Sequence, residues 1–97
     1  MKESEFQKMF MQHLRERFPG CIVTKVESYI QGFPDLLLLY NKRWALLECK
    51  RSANAPHQPN QDEHVRHANE LSFSCFVYPE NEQEVLNELE SFFRRNT

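Results

Sequence analysis

Apolar residues recur at helical spacing in three segments of this chain and form short continuous runs in four others. Helical spacing is typical of a helix with one buried face, and apolar runs of about four to eight residues are typical of strands. In chain order, the pattern predicts a helix over 4–18, strands over 21–30, 36–40 and 44–47, a helix over 60–71, a strand over 73–78 and a helix beginning at 81. The predicted order is therefore αβββαβα.

Short polar motifs indicate where the three helices begin. Ser4, Asn60 and Asn81 are each followed three residues later by Glu or Gln, which is the capping-box pattern. Pro19-Gly20 then ends the first helix. We therefore expect the side chains of Ser4, Asn60 and Asn81 to cap their helices.

The connections between the predicted strands determine the type of sheet. The last strand is reached through a helix, so it should cross over and pair in parallel with a strand of the existing sheet. A length of 97 residues with 40% hydrophobic content suits one domain over residues 1–97 with a modest core. The predicted fold class is α/β, a mixed sheet flanked by helices, with a further helix at the C-terminus.

The second and third strands should form a hairpin in which charged residues meet. A two-residue turn at Asn41-Lys42 places Tyr40 opposite Arg43, and counting outward along the ladder then places Asp35 opposite Glu48. Directly opposed residues share one face of a sheet, with Cβ atoms about 5 Å apart. Lys50 lies two residues beyond Glu48 and therefore points to the same face.

Two opposed carboxylates need a compensating group. At a separation of about 5 Å and an effective dielectric constant of about 20, they repel each other by about 3 kcal/mol. This is a large fraction of the free energy of unfolding of a small domain. The charge of Lys50, a shared proton or a divalent cation bound by the oxygen atoms could each offset the repulsion.

One polar residue of the second helix also faces the sheet. Gln61, Val65 and Ala68 lie at i, i+4 and i+7, so Gln61 is on the buried face, close to the loop that follows Lys50. A buried amide needs hydrogen-bond partners. It could bond the backbone of the loop, or it could lie at the charged end of the hairpin, and the sequence leaves both alternatives open.

Composition limits the location and the partners of the chain. The sequence has neither an apolar segment of membrane-spanning length nor a signal-peptide pattern, so we expect a cytoplasmic protein with no membrane contact. Its three cysteines have no CxxC spacing and are expected to be reduced thiols. Residues 1–78 hold ten Lys/Arg against nine Asp/Glu, whereas residues 79–97 hold two against five. The acidity is concentrated in the last helix, which leaves a basic nucleic-acid-binding face possible elsewhere.

The polar residues of the hairpin and of the second helix resemble a known motif. The pattern consists of Gly32, Pro34-Asp35, then Glu48 and Lys50 as Glu-x-Lys, and then Gln61 at the start of a helix. It resembles the PD-(D/E)xK nuclease superfamily, and within it the virus-type replication and repair nuclease (VRR-NUC) family, which is related to Holliday-junction resolvases. The resemblance covers nearly the whole chain and implies a restriction-endonuclease-like fold with an αβββαβ core.

The resemblance also implies a chemistry. Asp35, Glu48 and the backbone carbonyl of Cys49 would bind Mg²⁺ or Mn²⁺, and Lys50 would orient or activate the attacking water. Gln61 would belong to the same catalytic set, and a glutamate of the first helix would assist. Glu5 fits this last role best, with Glu3 and Glu16 as alternatives.

The resulting functional hypothesis is a metal-dependent DNA endonuclease that is selective for branched DNA such as Holliday junctions. It would be found in the host cytoplasm if the protein is viral. Four basic residues are candidates for contacts to the DNA backbone: Lys42, Arg43, Arg51 and Arg66. A homodimer is expected, because resolving a four-way junction takes two symmetric cuts. The alternative is a non-catalytic DNA-binding or assembly module on the same fold.

Overall fold

Three helices and four strands build the fold over residues 1–94, the part of the 97-residue chain that this computed structural model describes. In chain order they are α1 Glu3–Arg17, β1 Ile22–Lys25, β2 Leu36–Tyr40, β3 Arg43–Cys49, α2 Gln61–Leu71, β4 Phe73–Val77 and α3 Glu82–Arg94. The order αβββαβα confirms the sequence prediction. No helix within residues 1–94 is long and apolar enough to cross a membrane.

The four strands form one mixed sheet in the order β1-β2-β3-β4. β1, β2 and β3 pair antiparallel, and β4 pairs parallel with β3 after the crossover through α2. Both the mixed sheet and the parallel crossover were predicted. The crossover matters for the site because it brings α2 back over the strand that carries Glu48.

The β2–β3 hairpin has the predicted register. Tyr40 pairs with Arg43 and Leu36 with Leu47. The turn residues Asn41 and Lys42 have φ of 52° and 67°, the left-handed conformation of a two-residue type I′ turn, whose twist matches that of paired strands. One step beyond the Leu36–Leu47 pair, Asp35 comes opposite Glu48.

Alternating side chains divide the sheet into two faces. One face packs against α1 and α3, and its buried core includes Val23, Leu36, Leu38, Ala45, Leu47, Cys49 and Val77. α2 lies over the other face and buries Val65 and Ala68 against it. Glu48 points to the α2 face, since side chains alternate along β3.

At the β1 edge of this same face, Ile22 and Leu39 pair with each other and remain 59% and 39% exposed.

The capping-box predictions were wrong, although the helices are where they were expected. α1 begins at Glu3 with Lys2 as its N-cap, so Ser4 lies inside the first turn. Asn60 is the N-cap of α2 but has a left-handed φ of 72°, which differs from the extended backbone of a capping box. Asn81 Oδ1 accepts a hydrogen bond from the N–H of Tyr78 and thus turns away from α3.

The first strand is shorter than predicted. β1 ends at Lys25, and the N–H of Val26 then donates to the carbonyl of Asp35. The N–H of Ile30 bonds the hydroxyl of Ser28, and Gly32 has a φ of 80°, so the chain turns instead of extending. Residues 26–35 therefore form a loop at the end of the sheet where Asp35 and Glu48 lie.

Candidate functional site

Three carboxyl groups meet at the end of the β2–β3 hairpin. Asp35 directly precedes β2, Glu48 is in β3 and Glu3 is the first residue of α1. One oxygen atom from each lies within 4.8 Å of the others. The opposition of Asp35 and Glu48 follows from the hairpin register, whereas Glu3 arrives from a helix on the opposite face of the sheet.

Asp35 is half-buried and held by two hydrogen bonds. Its Oδ1 accepts from the N–H of Cys49 at 3.2 Å, and its Oδ2 accepts from Nε2 of Gln7 at 3.0 Å. Burial raises the pKa of Asp35 to about 6; the bond from Cys49 opposes this rise, and the charge of Glu3 adds to it. The two hydrogen bonds therefore fix the orientation of this carboxyl group, whereas its burial disfavours the charged form.

Glu48 is more deeply buried, with 3% of its surface exposed. Burial and, to a lesser extent, the charge of Asp35 raise the pKa of Glu48 to about 8, and the charge of Lys50 opposes this rise. Lys50 Nζ lies 4.0 Å from Oε2 of Glu48. This lysine only partly compensates the two acids, so a proton or a cation still has to relieve their repulsion near neutral pH.

Gln61 makes both of the contacts that its position in the sequence allowed, one to the loop backbone and one to the charged end of the hairpin. Its Nε2 donates to Oε2 of Glu48 at 2.9 Å, and its Oε1 accepts from the N–H of Gln58 in the preceding loop at 2.8 Å. The side chain is 7% exposed. A single amide thus links the loop to the charged end of the hairpin.

Lys50 is buried beside Glu48. Its side chain is 5% exposed, and Nζ donates to the carbonyl of Pro56 at 3.1 Å. The next residue, Arg51, is exposed. Lys50 therefore lies at the base of the site, whereas Arg51 lies at its surface.

A cleft of about 380 Å³ gives access to the two acids. Its walls come from the 26–33 loop on one side and from the start of α2 on the other, and they contain Val26, Ser28, Ile30, Gln31, Gly32, Phe33, Gln58 and Gln61. Gly32 lies against the α2 side: a Cβ at this position would be 2.5 Å from the Pro59 carbonyl oxygen and 2.9 Å from the Gln61 nitrogen. The absence of a side chain lets the two walls approach.

The first-helix carboxyl group that lies beside Asp35 and Glu48 is Glu3, and Glu5 is not part of this cluster; a catalytic role of Glu5 stays a prediction. Glu5 is exposed and is two residues from Glu3, which places it on another side of α1. Glu16 is also outside this cluster, because about 20 Å of helix separates it from Glu3. The sequence analysis missed Gln7, which contacts Asp35. Its position at i+4 from Glu3 on the same helix face was the available signal.

The four basic residues proposed to contact DNA are dispersed. Lys42 and Arg43 lie at the turn of the hairpin, about 20 Å along β3 from Glu48. Arg43 donates to the carbonyl of Phe92 at 3.0 Å and lies over its ring. Arg66 forms ion pairs with Glu63 and Glu70 on the exposed side of α2. Only Arg51, of these four, is adjacent in sequence to a residue of the site.

The donor set suits a hard divalent cation. Carboxylate oxygen atoms are the preferred ligands of Mg²⁺ and Mn²⁺, and a bound cation would offset the burial that raises the pKa of Asp35 and of Glu48. The N–H of Cys49 is directed at Asp35, so the backbone at Cys49 adjoins the acids, and a role for its carbonyl stays a prediction. The three cysteines have free thiols.

Comparisons of the chain with models of known protein families, with curated proteins and with solved structures found no match. The resemblance to PD-(D/E)xK nucleases therefore rests on the motif residues themselves. What the structure adds is the position of each of these residues relative to the others.

Proposed function

We propose that the protein is a metal-dependent DNA endonuclease of the PD-(D/E)xK type, with a restriction-endonuclease-like fold close to that of the VRR-NUC family. One observation carries this proposal: Asp35, Glu48 and Gln61 line one cleft, and the buried Nζ of Lys50 lies 4.0 Å from Oε2 of Glu48. The hairpin register brings Asp35, Glu48 and Lys50 together, whereas Gln61 and Glu3 reach the same place from two different helices.

Asp35 and Glu48 would hold the cation, with Glu3 and the Cys49 carbonyl as further oxygen ligands. A bound Mg²⁺ or Mn²⁺ would supply charge neutralisation at the phosphoryl oxygens and a water of lowered pKa. Gln7 and Gln61 would fix the orientation of the two acids through the bonds described above. Lys50 is a compact point charge that would orient the attacking water or contact the scissile phosphate.

Energetics argue against the alternative of a non-catalytic DNA-binding or assembly module. The half-buried Asp35 and the buried Glu48 both have raised pKa values and therefore destabilise the folded state near neutral pH. A protein that only binds DNA would gain stability by replacing one of them with a neutral residue. Their presence together is more easily explained by a reaction that uses them.

A homodimer acting on branched DNA is the second part of the proposal. Ile22 and Leu39 form an exposed apolar pair on β1 and β2, and β1 is an edge strand. A second copy packed on this surface would cover both the apolar pair and the open edge. Two such protomers would supply the two cuts that a four-way junction requires.

The test is cleavage of labelled four-way, flap, single-stranded and duplex DNA with Mg²⁺, with Mn²⁺ and with EDTA. Wild type should cut branched DNA only when the cation is present, and Glu48→Gln should not cut any substrate. Glu70→Gln, on the exposed side of α2, is the matched control and should cut as wild type does. DNA binding without cleavage under all conditions would favour the binding module.

A further inference from the structure

The loop between β3 and α2 makes hydrogen bonds to two of the buried polar side chains of the site, Lys50 and Gln61. We define its residues Pro56, His57 and Gln58 as the strap. The Pro56 carbonyl accepts from Lys50 Nζ at 3.1 Å, and the Gln58 N–H donates to Gln61 Oε1 at 2.8 Å. The positions of Lys50 and Gln61 therefore depend on where the backbone of the strap lies.

His57 fixes the strap from its centre. Its ring stacks on Phe76 with the centroids 4.1 Å apart and the planes at 16°. Its Nδ1 lies 2.7 Å from Oδ1 of Asp62 in the first turn of α2. One side chain thus ties the strap both to β4 and to α2, which are the two elements that flank Glu48.

The contact with Phe76 places His57 over β4, the strand next to the one that carries Glu48. Phe76 is the register partner of Glu48 across β3 and β4, and partners in adjacent strands lie about 5 Å apart on one face of a sheet. The strap therefore passes over the α2 face one strand away from Glu48. Lys50 beneath it is buried, although a lysine side chain is normally long, flexible and solvated.

We infer that His57 is a positioning residue for Lys50: by clamping the strap between Phe76 and Asp62, it keeps the Pro56 carbonyl where it binds Nζ. The effect on Lys50 is independent of any reaction, and only its consequence for turnover rests on the proposed function. Without His57, the strap loses both of these anchors, and Lys50 should become accessible to solvent.

The first experiment measures this accessibility without DNA or metal. The folded protein is treated with an amine-acylating N-hydroxysuccinimide ester, and the rate at Lys50 is measured by peptide mass spectrometry relative to the exposed Lys42. His57→Ala should raise the rate at Lys50 by at least about 10-fold, because local opening of the strap exposes Nζ. His67→Ala, at an exposed position on α2, is the matched control and should leave the rate unchanged.

Asp62→Ala covers the case in which His57→Ala does not fold. It removes only the bond to Nδ1, at a side chain that is 75% exposed, and should raise the rate at Lys50 by a smaller factor. Unchanged Lys50 rates in the folded variants would overturn the inference. The inference would also be overturned if the acylation rate of Lys50 rose only in variants that no longer unfold cooperatively, or if it rose equally in His67→Ala.

The second experiment examines the consequence for cleavage. His57→Ala should lower kcat by about 10-fold with little change in KM or in Mn²⁺ affinity, since only the position of Lys50 changes. Equal losses in Mn²⁺ affinity would show instead that His57 supports the acids, which would overturn the assignment to Lys50. If wild type cleaves no DNA but the acylation result holds, the proposed function fails and the positioning of Lys50 by His57 stands.

Discussion

The amide nitrogen of Gln61 donates a hydrogen bond to Oε2 of Glu48 at 2.9 Å, and both side chains are buried. Gln61 begins α2 and Glu48 lies near the end of β3, so the bond joins the crossover helix to the strand beneath it. An amide can donate to a carboxyl group whether that group is charged or neutral, because at least one oxygen remains an acceptor. Gln61 can therefore hold Glu48 in place through changes in its charge.

Neutral isosteres of the two central acids should abolish function without unfolding the protein. Asp35→Asn and Glu48→Gln should each eliminate the calorimetric signal of Mn²⁺ binding and lower cleavage by at least about 100-fold, since a metal ligand is lost. The melting temperature in EDTA at pH 8 should stay level or rise, because a repelling charge is removed. Substantial cleavage by either variant would contradict the assignment of the site.

Glu3 and Glu5 form a matched pair on α1. Because Glu3 lies beside Asp35 and Glu48, whereas Glu5 is exposed outside this cluster, Glu3→Gln should lower Mn²⁺ affinity by about 10-fold. Glu5→Gln should leave the affinity unchanged. Calorimetric titration of both variants measures this difference, and the opposite ranking would support the assignment of Glu5 made from the sequence.

Stability without metal should decrease as the pH rises. Folding raises the pKa of Asp35 to about 6 and that of Glu48 to about 8, so the folded state binds these protons more tightly than the unfolded state does. The stabilisation is fully present below the unfolded pKa values of about 4 and is lost as the pH passes through the folded values.

We therefore expect the free energy of unfolding in EDTA to fall by an amount on the order of a few kcal/mol between about pH 4 and about pH 8. Urea titrations at several pH values measure this change. The double variant Asp35→Asn, Glu48→Gln should have a much flatter profile over the same range. A wild-type profile that rises with pH would mean that the acids are stabilised as anions.

Gly32 and Gly20 allow backbone strain to be separated from steric contact. Both have positive φ, 80° and 89°, but a Cβ at Gly20 would meet no atom within 4 Å, whereas one at Gly32 would collide with the start of α2. Gly20→Ala should cost about 1 kcal/mol through strain alone and leave Mn²⁺ affinity unchanged. Gly32→Ala should cost about 3 kcal/mol and also weaken Mn²⁺ binding, because it displaces Gln61. Equal effects of the two substitutions would show that the close approach at Gly32 is unimportant.

The proposed dimer can be tested at the exposed apolar pair. Wild type should sediment as a dimer at micromolar concentration, and Ile22→Glu combined with Leu39→Glu should give a monomer, since charges would be buried in the interface. Met9→Glu, on α1 at the opposite face of the sheet and 43% exposed, is the control and should remain dimeric. A monomeric wild type that nicks only one strand of a junction would exclude the dimeric resolvase.

The order of the elements, the register of the hairpin and the meeting of Asp35 with Glu48 could all be predicted from the amino-acid sequence. The two-residue turn at Asn41-Lys42 sets the register of β2 and β3 within one continuous segment, so the opposition of Asp35 and Glu48 could be counted along the chain. The position of Gln61 on the buried face of α2 follows from helical periodicity in the same way. Both relationships depend only on the periodicity of side chains along one helix or one hairpin.

The remaining features of the site depend on how the helices and loops pack against the sheet. Glu3 and Gln7 approach Asp35 only because α1 packs against the sheet at one particular angle, and the clamp of His57 on Phe76 depends on the path of a loop. The pKa values of the acids likewise depend on how much water these neighbours exclude. Periodicity specifies which face a residue occupies, but distances between elements arise from packing of the whole core, which no single segment of sequence encodes.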